Sequence, residues 1–343
     1  MSAIDEQARG ASPVDFGVFG DYGDFRPKRQ RDQERPDGEF VRAAYPFQGG
    51  ISANGSTGYP AEPGRYHLYI SWACPWAHRT AIVRKLMGLE EVISLSAVDP
   101  VRDGRGWAFR AGRGHGLDPV NSFALLREAY EATEPGYDGH ISVPVLWDRV
   151  TKRIVSNNFP DITIDLETQF GAWASGAADL YPEALRPAID SINALVYENV
   201  NNGVYRAGFA GNQLAYHEAV GRLFATLDEL EQHLAGRRFL MGDAITEADV
   251  RLWVTLARFD SVYYSHFKCS IHRLTDYPNL WAYARDLYSV PAFRETTNFD
   301  QIKRHYFTTH PHLNPGRIVP EGPVLGWDAP HGREQLAARH QDM

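Results

Sequence analysis

The chain has 343 residues, of which 43% are apolar and 12% aromatic, enough for two packed domains with extensions. Its formal net charge of -8 offers no general attraction for nucleic acid or an anionic membrane surface. Its two cysteines lie far apart, which argues against a disulfide scaffold or a Cys-rich zinc site and fits a reducing compartment. A cytoplasmic protein is expected, since no apolar run approaches the ~20 residues of a spanning helix and residues 1–13 lack a secretory pattern.

Residues 1–64 are rich in Gly, Pro and charge without a sustained period, and read as an extended arm held to the body by Phe40, Tyr45 and Phe47. Within it Arg26-Pro27-Lys28-Arg29-Gln30-Arg31 is a basic cluster flanked by acidic residues, hence a solvated surface. From Arg65 the pattern alternates: Tyr66 to Ser71 as a strand, Pro75 to Met87 as a helix, Val92 to Val98 as a second strand. Asp99 to Asn121 reads as a loop insertion, followed by a helix from about Ser122 to Ala132. A hairpin of Ile141 to Trp147 with Arg153 to Ser156, then a helix from about Pro160 to Gln169, complete the order βαβ, α, ββ, α over residues 65–170. That order is the thioredoxin arrangement, in which Val143-Pro144 would be a cis-proline step whose exposed backbone pairs with a bound thiol peptide.

Residues 171–179 form a small-residue linker that opens an all-helical domain over 171–303. Helical periodicity marks Glu183 to Asn201, Leu214 to Leu234, Thr246 to Val262 and Leu280 to Leu287. Thr246-Glu247-Ala248-Asp249 reads as a helix cap with Asp249 reaching back, so Asp249 is assigned to structure rather than catalysis. Residues 304–343 carry Pro311, Pro315, Pro320, Pro323 and Pro330 and read as an irregular surface tail. The fold class is therefore α/β plus all-α.

The stretch that carries chemistry is Cys74-Pro75-Trp76-Ala77-His78-Arg79, a thiol between a strand end and a helix whose first residue is proline. The partial positive charge of a helix N-terminus favours a thiolate there, which makes Cys74 the candidate nucleophile. A dithiol redox centre needs a second Cys three positions on, where this chain has Ala77, and Cys269 lies in the helical half. Cys74 thus depends on an outside thiol: it attacks sulfur, holds a mixed disulfide, and a second thiol releases it. His78 reads equally as a base for Cys74 or as a packing residue. The 13 His show no metal-protease spacing and no phosphate-binding Gly motif follows a strand, so no metal is called for and nucleotide chemistry is disfavoured. Tyr205, in a Gly-flanked break, and Tyr263, Tyr264 and Tyr306 near helix ends supply hydroxyls that could grip a phenolic ring.

The chain resembles the glutathionyl-hydroquinone reductases, or Xi-class glutathione transferases. The resemblance lies in Gly64 to Tyr69 with Cys74 to Arg79, in Val143 to Asp148 with Ile154 to Asn157, in Asn201 to Tyr205, in Leu240 to Trp253, in His266 to Cys269, and in Asn298 to Tyr306, and runs from about Phe40 to about His331. It implies a thioredoxin-like domain followed by a helical glutathione-transferase domain, a homodimer, and reduction of thiol-conjugated hydroquinones with glutathione or another low-molecular-weight thiol as co-substrate. By motif match Trp107 would pack on the thiol, Val143 before Pro144 would pair with its backbone, and Tyr205 and Tyr306 would hydrogen-bond the hydroquinone oxygens.

The chain also departs from the family pattern. Where members usually carry Arg before the cis-proline segment it has His140, and where Glu-Ser follows Ser-Asn it has Asn158 and Phe159 after Asn157. His140, Asn157 and Asn158 are thus candidate thiol-binding positions at which charge complementary to glutathione's termini is reduced, and Arg110, Arg113 and Asp161 are the candidates to compensate. The departures predict a neutral, sugar-like thiol such as mycothiol. Two other readings remain open: a general thioltransferase or dehydroascorbate-type reductase, and a non-catalytic ligand-binding module of the same fold.

Overall fold

The computed structural model describes residues 10–18, 37–176 and 178–339, and the basic cluster around Arg26 lies outside them. The chain divides into two compact units. One comprises Met1–Gln33, Ala43–Gly176 and Phe307–Pro311, the other Glu34–Arg42, Ala177–Tyr306 and His312–Met343.

In the first unit β1 (Tyr66–Ile70), α1 (Pro75–Leu86) and β2 (Ser94–Ala97) form the expected βαβ unit, with His67 opposite Ser94 in a parallel pair. A parallel pair needs such a crossover helix. After α2 (Arg127–Thr133) come β3 (Val145–Asp148), β4 (Arg153–Ser156) and α3 (Phe159–Thr168). β3 runs antiparallel to both β1 and β4, giving the order β2-β1-β3-β4. All five residues of the central strand β1 are buried, as a strand covered on both faces requires.

Two boundaries differ from the sequence expectation. The helix expected from Ser122 starts at Arg127, because Asp118 accepts hydrogen bonds from the amides of Val120, Asn121 and Phe123, and Ser122 takes a left-handed φ of 58°. The strand expected from Ile141 starts at Val145, directly after Pro144, which has no N–H to give to a ladder.

The arm covers the open edge of β4. Gly49 N–H donates to the Val155 carbonyl at 2.9 Å, and Asn157 N–H donates to that of Phe47 at 3.0 Å. A Cβ on Gly49 would lie 2.7 Å from the Val155 oxygen, so the approach requires glycine. The Phe47 ring packs on Tyr130 and Tyr137, and Tyr45 meets Phe159 edge-on. An edge paired in this way cannot template aggregation.

Ile51 N–H, further along the arm, donates to Asp165 Oδ2 at 2.8 Å. Burial, with Asp161 nearby, pushes the Asp165 carboxyl up to about 6. A raised folded value means that the contribution of this group to stability is full below the unfolded value and is lost as pH rises through about 6. Asp165→Asn keeps an acceptor for Ile51 and removes the titration. Its melting temperature relative to wild type is expected to be higher at pH 7.5 than at pH 4, and equal differences at the two pH values would refute this.

The second unit is helical: α4 (Arg186–Val196), α5 (Gly203–Gly208), α6 (Gln213–His233), α7 (Glu247–Leu256), α8 (Tyr264–His266), α9 (Pro278–Ser289), α10 (Pro291–Arg294), α11 (Phe299–Thr309) and α12 (Glu334–Arg339). The helix expected over Glu183 to Asn201 is realised as a 3-10 turn, α4 and a π turn at Tyr197–Asn201. Thr246 and Asp249 form the expected capping box of α7. The stretch from Arg304 is not irregular at its start, because α11 runs through it to Thr309. Its buried face of Ile302 and Tyr306 becomes visible only when the pattern is followed upstream. Among the described residues no helix is long and apolar enough to cross a membrane.

Candidate active site

The thiol is placed by the turn that ends β1. Cys74 N–H donates to the Ser71 carbonyl at 3.0 Å, and the Cys74 carbonyl accepts from His78 N–H at 2.9 Å, the first bond of α1. Cys74 is therefore the N-cap of α1, with extended backbone and Pro75 in the first helical position. Its side chain is half-buried, and Sγ lies 3.5 Å from the Val143 carbonyl it faces. The Val143-Pro144 bond is cis, as the sequence suggests. The Cys74 sulfur thus sits against the backbone of the cis-proline loop and at a helix N-terminus, whose partial positive charge favours a thiolate. His78 is fully buried within α1.

A buried network holds that loop. Tyr130 O–H donates to the Ser142 carbonyl at 2.9 Å and accepts from Ser142 N–H at 3.1 Å. Asn157 Nδ2 donates to Tyr130 Oη at 3.1 Å and to Ser142 Oγ at 3.3 Å, while its Oδ1 accepts from Phe47 N–H. Asn157 is fully buried, so it reaches the thiol loop through Ser142. His140 is half-buried and its carbonyl accepts from Tyr137 O–H at 3.1 Å.

Asn158 caps α3 from a half-buried position, and its Nδ2 donates to Asp161 Oδ2 at 2.5 Å. Phe159 points inward, its ring stacked on Trp76 at 4.5 Å with the Arg79 guanidinium over both rings. Trp107 is buried under the Arg102 guanidinium, 4.8 Å from its ring centre. Arg110 is buried as well, paired with Asp99 at 3.2 Å and Asp103 at 3.3 Å and donating to the Ser12 carbonyl at 2.7 Å. Its charge is neutralised within the loop insertion.

A second constellation lies in the helical unit. Tyr205 Oη and Tyr306 Oη are 2.5 Å apart, and Tyr263 Oη is 3.1 Å from Tyr306 Oη. Burial first, then the neighbouring phenols, pushes Tyr263 and Tyr306 well above the ordinary tyrosine value, so both are neutral donors at pH 7. The residues from 203 to 208 are a short helix rather than the break expected from the sequence. Gly208 has no Cβ where the Phe267 ring passes, and Phe267 in turn packs against Tyr205 and Tyr263. Arg42 lays its guanidinium 4.7 Å over the Tyr205 ring and donates to Asn202 Oδ1 at 3.0 Å. Arg42 escaped sequence reasoning, as did the contact of Tyr263 with Tyr306, because nothing local announces a contact from an arm or across 43 residues.

Cys269 is fully buried, with Sγ 3.8 Å from the Phe267 carbonyl, and burial pushes its thiol up, so it stays protonated at neutral pH. Of the two cysteines, Cys74 is half-buried at a helix N-terminus and Cys269 is closed off from solvent.

Residues 213–286 match the model of the glutathione S-transferase C-terminal domain. The chain is 46% identical over 310 residues to the glutathionyl-hydroquinone reductase YqjG of Escherichia coli, covering 88% of this chain and 94% of that protein. The glutathione-bound structure of YqjG superposes with a TM-score of 0.82 at 47% identity, over 87% of this chain and 98% of that one. A glutathione transferase from Gordonia bronchialis is 52% identical with a TM-score of 0.83, over 85% and 91% of the two chains. The glutathione transferase Xi of Phanerochaete chrysosporium is 46% identical with a TM-score of 0.83, over 86% and 96%.

Proposed function

The chain belongs to the glutathionyl-hydroquinone reductases, enzymes of the Xi class of glutathione transferases, and on that premise we propose that Cys74 reduces thiol-conjugated hydroquinones through a mixed disulfide. The observation that carries the reading is the Cys74 sulfur at the N-terminus of α1, 3.5 Å from the carbonyl that precedes cis-Pro144. The backbone of Val143 pairs with the thiol moiety, and Trp107 packs on it. The Cys74 thiolate attacks the conjugate sulfur. A sulfur–sulfur bond forms, the carbon–sulfur bond breaks, and its electron pair stays on the ring carbon, which takes up a proton as the hydroquinone leaves. Tyr205 and Tyr306 donate hydrogen bonds to the hydroquinone oxygens and spread the charge that develops on the ring. The thiolate of a second thiol molecule then attacks the mixed disulfide, releasing a low-molecular-weight disulfide and the Cys74 thiolate. The ring carbon gains two electrons, and the sulfur of the conjugate and that of the second thiol each lose one.

The proposed setting is a cytoplasmic homodimer. The family resemblance supports the homodimer, and two cysteines of which neither is in a disulfide support a reducing compartment.

The glutathione-bound structure of YqjG supports glutathione as the thiol. Three placements in this chain favour a neutral, sugar-like thiol such as mycothiol instead. Asn158 is tied to Asp161, Phe159 turns into the Trp76 stack and offers no hydroxyl, and the charge of Arg110 is neutralised by Asp99 and Asp103. Mass spectrometry of the protein after exposure to equal concentrations of oxidised glutathione and mycothiol disulfide checks this. The mycothiol adduct of Cys74 is expected to predominate. A clear preference for glutathione would overturn the thiol assignment and leave the reaction class standing.

A further inference from the structure

We propose that the C-terminal segment is a positioning clamp for Tyr306, with Trp327 as its anchor. The inference rests on the reading of Tyr306 as a group that binds the hydroquinone. Trp327 is only 8% exposed, although it sits in a segment without regular structure whose Val324 is 99% exposed. Its ring centre lies 4.7 Å from Trp281, 5.4 Å from Tyr288 and 5.5 Å from Trp253. The fourth wall of this box is Phe299, stacked at 5.4 Å, the first residue of α11.

One turn further along α11, Lys303 Nζ donates to the carbonyls of Pro320 and Glu321, both at 3.0 Å. Beyond Trp327 the segment is held again. The buried Arg333 guanidinium donates to the carbonyls of Leu234 at 2.9 Å, Arg238 at 3.1 Å and Arg237, just past the end of α6. Phe299 and Tyr306 are seven residues apart, two turns on one helix face and about 10 Å along the axis. A clamp on Phe299 and Lys303 therefore fixes where the Tyr306 hydroxyl points. Hydrogen bonds of 2.5 and 3.1 Å from that hydroxyl do not survive a shift of about 1 Å.

The test uses the full chain and two substrates: hydroquinone conjugated to whichever of the two thiols labels Cys74, and a small aliphatic mixed disulfide of that thiol, which has no ring to hold. Trp327→Ala is expected to lower kcat/KM for the conjugate about 10-fold, since misplacement of a binding group by about 1 Å carries losses of that order or more. Turnover of the small disulfide should stay within about twofold, and Trp327→Phe should recover most of the loss. Lys303→Met leaves the aromatic box intact and is expected to act in the same direction by a smaller factor, which keeps the test open if Trp327→Ala folds poorly. Tyr306→Phe should show the same selective loss, and the double variant should lose no more than Tyr306→Phe alone. Equal losses on both substrates, or a loss in Tyr306→Phe without one in either clamp variant, would overturn the clamp alone. No loss in Tyr306→Phe would overturn the role given to Tyr306, and the clamp with it.

Discussion

Replacing Cys74 with serine is expected to lower turnover of thiol-conjugated hydroquinones by on the order of 10³-fold or more, because a serine hydroxyl cannot form the sulfur–sulfur bond that carries the reaction. Little else should change. Cys74 is half-buried at a helix cap, and its side-chain hydrogen bond is a long one, 3.5 Å from sulfur to the Val143 carbonyl. The melting temperature should therefore stay close to wild type, and the conjugate should still bind, which titration calorimetry can measure. A ligand-binding module of the same fold would show unchanged affinity with no turnover to lose. A general thioltransferase would lose activity on the small mixed disulfide too, but would have shown no preference for the conjugate beforehand.

The second large effect concerns the helical unit. Asp249 is fully buried and receives four hydrogen bonds: from Thr246 N–H at 2.8 Å, Thr246 O–H at 3.0 Å, Leu240 N–H at 3.0 Å and Tyr283 O–H at 2.7 Å. Burial pushes its carboxyl up, and these donors oppose the shift. Asp249→Ala leaves all four donors in a dry interior. A loss of about 3–5 kcal/mol is expected, at about 1–3 kcal/mol for each unsatisfied group and with some relief from admitted water. Tyr283→Phe removes one donor rather than the acceptor and should cost about 1 kcal/mol. Urea unfolding followed by far-UV circular dichroism reads both. A midpoint for Asp249→Ala within error of wild type would show that the α7 cap does not organise this unit.

What was legible in the sequence is what neighbouring residues decide among themselves. A strand, a Cys at the turn and Pro at the first helical position place Cys74 without help from distant residues, and Thr246 with Asp249 do the same for the cap of α7. The cis step at Val143-Pro144 was legible only through the βαβ, α, ββ, α order, since a proline in a strand expected from Ile141 reads equally as an edge-strand or turn residue. The substituents around the thiol were harder. Phe159 follows Asn158 in a position that reads as site-facing, yet an aromatic ring next to Trp76 and Arg79 gains more by stacking than by exposure.

Arg110 looked available to a charged thiol, and only the fold shows Asp99 and Asp103 closing on it. The phenol cluster was least legible, since Tyr205 and Tyr306 are 101 residues apart and their hydroxyls meet only through helix packing. The run of prolines after Thr309 made residues 304–343 look irregular throughout, although Arg304 to Thr309 complete α11 and Glu334–Arg339 form a last helix.

The most direct measurement is a single turnover in which excess enzyme meets a thiol-conjugated hydroquinone with no second thiol present. One equivalent of hydroquinone should be released per conjugate consumed, with the thiol found by mass spectrometry on Cys74 and not on Cys269, and added thiol should then regenerate the unmodified protein. Release of hydroquinone with Cys74 unmodified, or no release until a second thiol is added, would contradict a covalent Cys74 intermediate.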